Sequence, residues 1–489
     1  MTNTLRITQA EPRSLLHQPH FRLMFAAAAA SKIGMQVSYL AVPLVAVLAL
    51  QASPGRVGLL ATLSTAAFLL IGLPAGALID RVRRRGVMIA ADIARAAVFA
   101  SIPIAWWMDA LTLGQLYVVV FLGGVATVFF DVANLSYLPH VVGRNRLVDA
   151  NSALHSFDAV INIAGRSGAG YLVQLVTAPV EMAVTATGYL VSGGFLAAIR
   201  RREPKPTPTP GRKLSRQITE GLRFVVAHQV LRPIALAGAT TNFGMQITIT
   251  MLPVLFVAEL GLPEGALGLF FAAGGCGALL GALTARRLGQ WLGQGRVVWI
   301  LGLAVAPAGF LIPFLDRGPW LVLSGVGWRL VAYKAGVDNV LLVSFRQRVT
   351  PDRLLGRQNA TMRFLLTGAL ALGAALAGLT GQVAGVRAAL WLGAAFLALV
   401  WVPLFLSPMR RVRDLPTATP DSPRNGHRPG SGVGAGVDQR FHEATNDRHR
   451  HRNRRAHPRV PPRDPRRHPR QRRRRPPPRH RAPRPAHTR

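Results

Sequence analysis

Gly76-Ala77-Leu78-Ile79-Asp80-Arg81-Val82-Arg83-Arg84-Arg85 decides how this chain is read. An apolar run enters the stretch from Gly58 and another leaves it from Val87; between them stand one acid and four arginines. Two apolar helices joined by so short and basic a turn predict a membrane hairpin whose turn stays in the cytoplasm. Gly76 would let helices pack closely, and Asp80 would sit at a helix end within reach of Arg81, Arg84 and Arg85. A loop that is basic only because it faces inside accounts for the same residues, so the rest of the chain has to weigh the two.

Outward from this loop the pattern repeats. The chain has 489 residues, 50% of them hydrophobic, and a formal net charge of +37. The apolar residues form about twelve runs between Phe21 and Leu406, each of roughly the 20 residues that cross a bilayer. Alternating strand patterns are absent, and a helix satisfies its own backbone in lipid. Arginine and lysine fall in every second loop: Arg81 to Arg85, then Arg144 and Arg146, Arg200–Arg202 with Lys205, Arg286 with Arg287, and Arg346 to Arg357. The intervening loops hold only Arg56, Arg317 and Arg387. This bias predicts a multi-pass plasma-membrane protein with both termini cytoplasmic. Met1–Gln18 is polar and lacks the apolar segment and small-residue site of a cleavable leader.

The expected organisation is a cytoplasmic N-terminus over 1–20, a six-helix bundle over 21–199, a cytoplasmic linker over 200–232, a second six-helix bundle over 233–407 and a tail over 408–489. Pro-Lys-Pro-Thr-Pro-Thr-Pro makes the linker extended, and Ser215 to Ala227 reads as an amphipathic helix at the membrane surface. The halves echo each other: Gly281-Ala282-Leu283-Thr284-Ala285-Arg286-Arg287 follows the eighth run as Gly76 to Arg81 follows the second. The expected fold is therefore an all-α membrane protein, with two pseudo-symmetric six-helix bundles and a disordered basic tail. That tail is Arg, Pro, His and Gly, carries about half the net charge, and cannot form a core. It could be drawn to anionic lipid, at about 1 kcal/mol per basic residue, or hold nucleic-acid phosphates. Phe441 is its one aromatic residue, which argues against recognition of nucleic acid by stacking.

The spacing Gly76-x-x-x-Asp80-Arg81-x-x-Arg84-Arg85 resembles the loop between helices two and three of the major facilitator superfamily. Phe129-Phe130-Asp131-Val132-Ala133, Ser136-Tyr137-Leu138-Pro139, Ser344-Phe345-Arg346-Gln347 and Gly356 to Phe364 resemble one branch of it, the bacterial siderophore and macrolide exporters. The resemblance covers about residues 20–407. It implies a central cavity lined by the first, fourth, seventh and tenth helices. The chain departs from related drug exporters in having no arginine in the fourth run, and Gly165-Arg166-Ser167-Gly168 where they carry a Gly-Pro pair.

Intramembrane charges are the candidate site residues, because each costs roughly 2.5–3.5 kcal/mol on insertion scales unless it faces a cavity or a partner. On the fifth run Asp158, Asn162 and Arg166 make one polar stripe, extended by His155. Asp158 is read as a proton-exchanging carboxylate with Arg166 as its competing partner, or as half of a fixed ion pair. Lys334 and Asp338 on the tenth run are read the same two ways, and the resemblance points them, with Arg329, at the cavity. Further cavity candidates are Gln36 and Tyr39 on the first run and Asn242 and Gln246 on the seventh. Lys32 is expected to snorkel. Asp131 is expected to pair with Arg81 or Arg84 as an inner gate, and Asp92 and Arg95 are expected to pair with each other or with the same loop. No catalytic constellation, phosphate-cradling loop, metal cluster or cofactor motif is expected. The function expected is secondary active transport by a monomer, with protons and a small molecule as partners: efflux of an antibiotic-like or siderophore-like compound by alternating access. Metabolite uptake, or a sensor or scaffold acting through the tail, are the alternatives.

Overall fold

The computed structural model describes residue 15, residues 18–79, 81–143, 146–200, 203 and 214–411. Asp80, most of the linker and the tail from residue 412 lie outside that set. Fourteen α-helices follow in order: α1 Pro19–Leu44, α2 Pro54–Ile79, α3 Arg84–Trp107, α4 Leu113–Val142, α5 Leu147–Val176, α6 Ala178–Ala198, α7 Leu214–Ala227, α8 Leu231–Pro253, α9 Glu264–Leu292, α10 Gln294–Gly309, α11 Pro319–Val349, α12 Asp352–Ala384, α13 Val386–Ala398 and α14 Trp401–Phe405. No strand occurs among the described residues.

Ten helical segments are long and apolar enough to cross a membrane. The two remaining long helices, α5 and α11, fall short on apolarity and not on length. They have 30 and 31 residues, which at 1.5 Å per residue is about 45 Å. They are the helices that carry Asp158 with Arg166, and Lys334 with Asp338. Both pack between other helices, α5 on α1 and α9, α11 on α9 and α10, and Lys334 and Asp338 are buried there. Helix α4 continues to Val142 with Pro139 inside it.

Each half repeats one feature that its sequence shows only when the halves are overlaid. Helix α1 contains Pro43 and continues as a π-helical turn over Val45–Ala49; α8 ends on Pro253 and continues as a π-helical turn over Val254–Glu259. Proline lacks an N–H, so the ladder must reform around it, and a wider turn is one solution. The two π-turns touch each other. They belong to one apolar cluster, with Leu44, Val57, Val119, Met182, Met251, Phe256, Phe271 and Ala377, that joins both halves at the arginine-poor ends. At the arginine-rich ends the halves keep separate cores, one around Phe21, Met88 and Tyr137, the other around Val297, Phe345 and Leu404. The halves are therefore fused at one end and divided at the other.

Helix crossings make that fusion possible. A Cβ at Gly58 of α2 would fall on the backbone of Gly378 of α12, and one at Gly170 of α5 would lie 2.7 Å from the Glu264 carbonyl of α9. The Gly55 N–H donates to Gln382 Oε1 at 3.2 Å across the first crossing. Gly76, expected to be a close-packing position, has open space around it; the close approach on α2 lies at Gly58 instead. Helix α7 lies against α8 and α12, with Val225 buried among Leu231, Ala235 and Met362, and Glu220 meets Arg357 at 2.7 Å. Next to it, His228 Nδ1 accepts from the Val230 and Leu231 N–H groups, and burial lowers its pKa from the ordinary 6.5.

Candidate functional site

Between the halves lies a cavity of about 340 Å³. Its walls come from α1, α2, α3, α4 and α6 on one side and from α8 and α9 on the other. Tyr39, Phe68, Phe99, Tyr189 and Phe271 supply aromatic faces; Ser38, Ser64, Thr65, Thr127, Gln246 and Thr250 supply polar atoms. Asp131 is the one carboxylate among the lining residues. Gly123 and Gly124 of α4 admit α3 and α2 at close range: a Cβ would lie 2.8 Å from the Phe99 ring and 2.9 Å from Ala67. Such a surface suits a largely apolar, ring-bearing molecule held by a few hydrogen bonds.

Four charged side chains stand at the arginine-rich end of this cavity in two loose pairs. Arg363 of α12 approaches Asp131 of α4 at 3.9 Å, with side chains 46% and 36% exposed. The same guanidinium lies 4.3 Å from the ring centroid of Phe68 on α2, so Arg363 reaches across the division between the halves. Lys32 of α1 approaches Asp158 of α5 at 3.9 Å, with exposures of 35% and 32%. At these separations and exposures a pair is worth at most about 1 kcal/mol, so it can be exchanged for water, substrate or a proton at little expense.

Two other pairs are closed. Arg95 bonds Asp92 with both side chains buried. Ser192 donates to the second Asp92 oxygen at 2.7 Å, Arg95 donates to Ser31 at 3.2 Å, and Phe130 and Tyr189 cover the guanidinium at 4.4 and 4.2 Å. In the other half Lys334 bonds Asp338, also buried, beside a cavity of about 20 Å³ that Thr241, Gly302 and Leu397 share. Arg95→Ala should therefore cost about 3–5 kcal/mol of stability, the range for stranding one charge of a buried pair. Unfolding of the purified protein in detergent measures it, and an unchanged transition would contradict the packing described.

The sequence profile of the family described as "Transmembrane secretion effector" matches residues 10–428. The chain belongs to the major facilitator superfamily, in this family. Within it, the chain is 25% identical over 400 residues to the enterobactin exporter EntS of Escherichia coli O1:K1 / APEC, covering 81% of this chain and 94% of that protein. It is 29% identical over 374 residues to the multidrug efflux pump Tap of Mycolicibacterium fortuitum, covering 72% and 88%. In fold it is similar to the nucleoside transporter NupG, with TM-score 0.64 at 12% identity over 79% of this chain and 99% of that one. It is also similar to a bacterial homologue of the iron transporter ferroportin in its inward-facing state, with TM-score 0.62 at 17% identity, covering 80% and 99%.

As members of a transporter family, the residues singled out from sequence divide in three. Tyr39, Gln246 and Asp131 line the central cavity. Gln36, Asn162, Asn242 and Arg329 are not among the lining residues. Gln36 donates to Asn162 at 2.6 Å, tying α1 to α5, and Asn242 donates to the Leu366 carbonyl at 3.2 Å, tying α8 to α12. Arg329 is exposed on α11. Lys334 and Asp338 face the interior of the second half rather than the central cavity, because α8, α10 and α13 enclose them. The expected gate partners are also corrected: Asp131 pairs with Arg363, not with Arg81 or Arg84. Arg84 instead meets Glu203 at 3.4 Å, and Arg85 donates to the Leu196 and Ala197 carbonyls at 2.9 and 2.6 Å. Arg85 thus caps the C-terminus of α6, where a positive charge is favoured. Arg81 is exposed; Asp80 and the side chains of His155 and Arg166 lie outside the described set. Asp158 has Lys32 as its described partner, so Lys32 does not simply snorkel. Glu203 and Arg363 escaped sequence reading. Arg363 sits within the quoted run Gly356 to Phe364, yet nothing local marks it as reaching α4.

Proposed function

We propose that this transporter exports a moderately hydrophobic, ring-bearing small molecule in exchange for protons, by alternating access. The loop bias supports an orientation with the arginine-rich ends and both termini in the cytoplasm, and in that orientation the cavity is closed to the outside and reached from within. The observation that carries the reading is the cavity itself: aromatic walls, few polar atoms, and loose carboxylate–cation pairs at the cytoplasmic mouth. The efflux relatives, an enterobactin exporter and a multidrug pump, agree with export of such compounds.

Asp131 and Asp158 are the carboxylates assigned to coupling. Lys32 acts on Asp131 as well as on Asp158, so when a proton neutralises either acid, Arg363 and Lys32 lose part of their countercharge and the cytoplasmic ends lose a link across or within the halves. The closed pairs Asp92–Arg95 and Lys334–Asp338 each lie within one helix, and Ser31 and Ser192 tie the first of them to α1 and α6. The protein acts as a monomer in this reading, with the bilayer as its surroundings. Everted membrane vesicles acidified inside test it. A fluorescent hydrophobic aromatic dye should accumulate in vesicles bearing the protein, and accumulation should collapse when the proton gradient is discharged. Accumulation that ignores the gradient would remove proton coupling; loss of dye from vesicles driven by the same gradient would reverse the direction. Asp158→Asn should accumulate no more dye than vesicles lacking the protein, while reaching the membrane in normal amount.

A further inference from the structure

One buried acid has no place in either set of pairs. Glu181 stands in the first turn of α6, at the end where the halves are fused, and is 0% exposed. Neither of its carboxylate oxygens has a hydrogen-bond partner. The elements packed on α6 are α1 with its π-turn, α3 and α5. Residues 35–44 of α1, its π-turn and residues 96–107 of α3 offer Tyr39 alone as a titratable side chain, and it lines the central cavity; the same end of α5 offers Tyr171, which is exposed. Arg95 and Asp92, the nearest charges along α3, already satisfy each other lower down. An ionised carboxylate so enclosed would have lost its hydration and gained no countercharge in return.

The acid heads a column. Glu181, Thr185, Tyr189 and Ser192 recur at helical spacing on one face of α6, and all four are buried. Successive members are about 4.5–6 Å apart along the axis, from a rise of 1.5 Å per residue. Thr185 donates to the Gly34 carbonyl of α1 at 3.3 Å, Tyr189 meets Ser38, and Ser192 bonds Asp92. Ser38 and Tyr189 both open on the central cavity. The column therefore leads from a carboxyl at the outer end to the space that opens on the cytoplasm.

We propose that Glu181 is the outer proton-loading site of the transport cycle, and that the α6 column is the route by which its proton leaves to the cavity. This rests on the proton-exchange reading above. The outer end closes only after Glu181 takes a proton from outside, since the ionised group cannot be enclosed. Loss of that proton down the column leaves an enclosed charge, which drives the outer end apart again.

Spin labels on Arg56→Cys and Val383→Cys, in a Cys276→Ser background, report the outer end directly. Both positions are exposed, and they flank the Gly55–Gln382 contact between α2 and α12. In lipid vesicles the label separation should increase as pH rises from mildly acid to mildly alkaline, with no transport substrate needed. Glu181→Gln, a permanent mimic of the protonated acid, should keep the short separation throughout, and Glu181→Asp should restore the pH response. A Glu181→Gln protein whose separation still responds as the wild type does, or a wild type with no response, overturns the proposal. Gradient-driven dye accumulation in everted vesicles judges the underlying reading separately: if it persists while Glu181→Gln still responds to pH, only the assignment of Glu181 falls.

Discussion

Asp131→Asn should abolish gradient-driven export and leave the folded protein as stable as before. Both halves of that expectation follow from its surroundings. The carboxylate lines the cavity, is part-exposed, and meets Arg363 at 3.9 Å. A pair of that kind contributes about 0–1 kcal/mol, so removing the charge hardly changes unfolding. Its effect on the cycle is larger because Arg363 belongs to the opposite half and also rests on Phe68. Neutral asparagine mimics the protonated acid permanently, so the cytoplasmic mouth can no longer alternate between a paired and an unpaired state, and dye accumulation should fall to that of vesicles without the protein. Arg363→Ala should give the same defect by removing the other partner. Asp338→Asn provides the contrast: it leaves Lys334 buried without its countercharge, and should cost about 3–5 kcal/mol of stability. If Asp131→Asn still accumulates dye at the wild-type rate with an acid interior, Asp131 carries no coupling and Asp158 is left to carry it alone.

The different behaviour of these acids explains how far the sequence could be read. Apolar runs and the alternation of arginines depend on single segments meeting lipid and water, so the long helices and the division into halves were legible. Polar residues in such helices show that a face avoids lipid, but not what it meets instead. Gln36 and Asn162 were both read as cavity residues; they bond to each other. Lys334 and Asp338 were pointed at the central cavity by family resemblance, and the helices around them close that face off. Asp131 and Arg363 are joined only by the fold, from helices in different halves, and no local pattern announces such a pair. Glu181 was overlooked for the opposite reason. A single acid at the start of a helix is commonplace, since it favours the helix dipole, and only burial without partners sets it apart. The paired Pro43 and Pro253 were legible in principle, since each precedes a similar apolar run near the end of the first helix of its half.

Gly281→Leu should leave no folded transporter, whereas Gly76→Leu should be tolerated. In the sequence the two glycines occupy equivalent places in the repeated loop motif, and the motif alone would assign them one role. Their surroundings differ. A Cβ at Gly76 meets nothing within 4 Å. A Cβ at Gly281 would fall on the Tyr333 carbonyl, one at Gly277 on the Arg329 carbonyl, and one at Gly336 on the Ala278 carbonyl. Helices α9 and α11 thus meet backbone to backbone over two turns, the arrangement that small residues permit in membranes. Carbonyls cannot swing aside as side chains do, so the helices would have to separate. Overpacking a tight core costs about 1–3 kcal/mol and sometimes more, and here the loss spreads, because α9 also carries the contact with α5 that joins the halves. The yield of monodisperse protein after detergent extraction is the measurement. Normal yield for Gly281→Leu would mean that α9 and α11 do not meet where Gly281 and Tyr333 place them, and that the enclosure of Lys334 and Asp338 has to be drawn again.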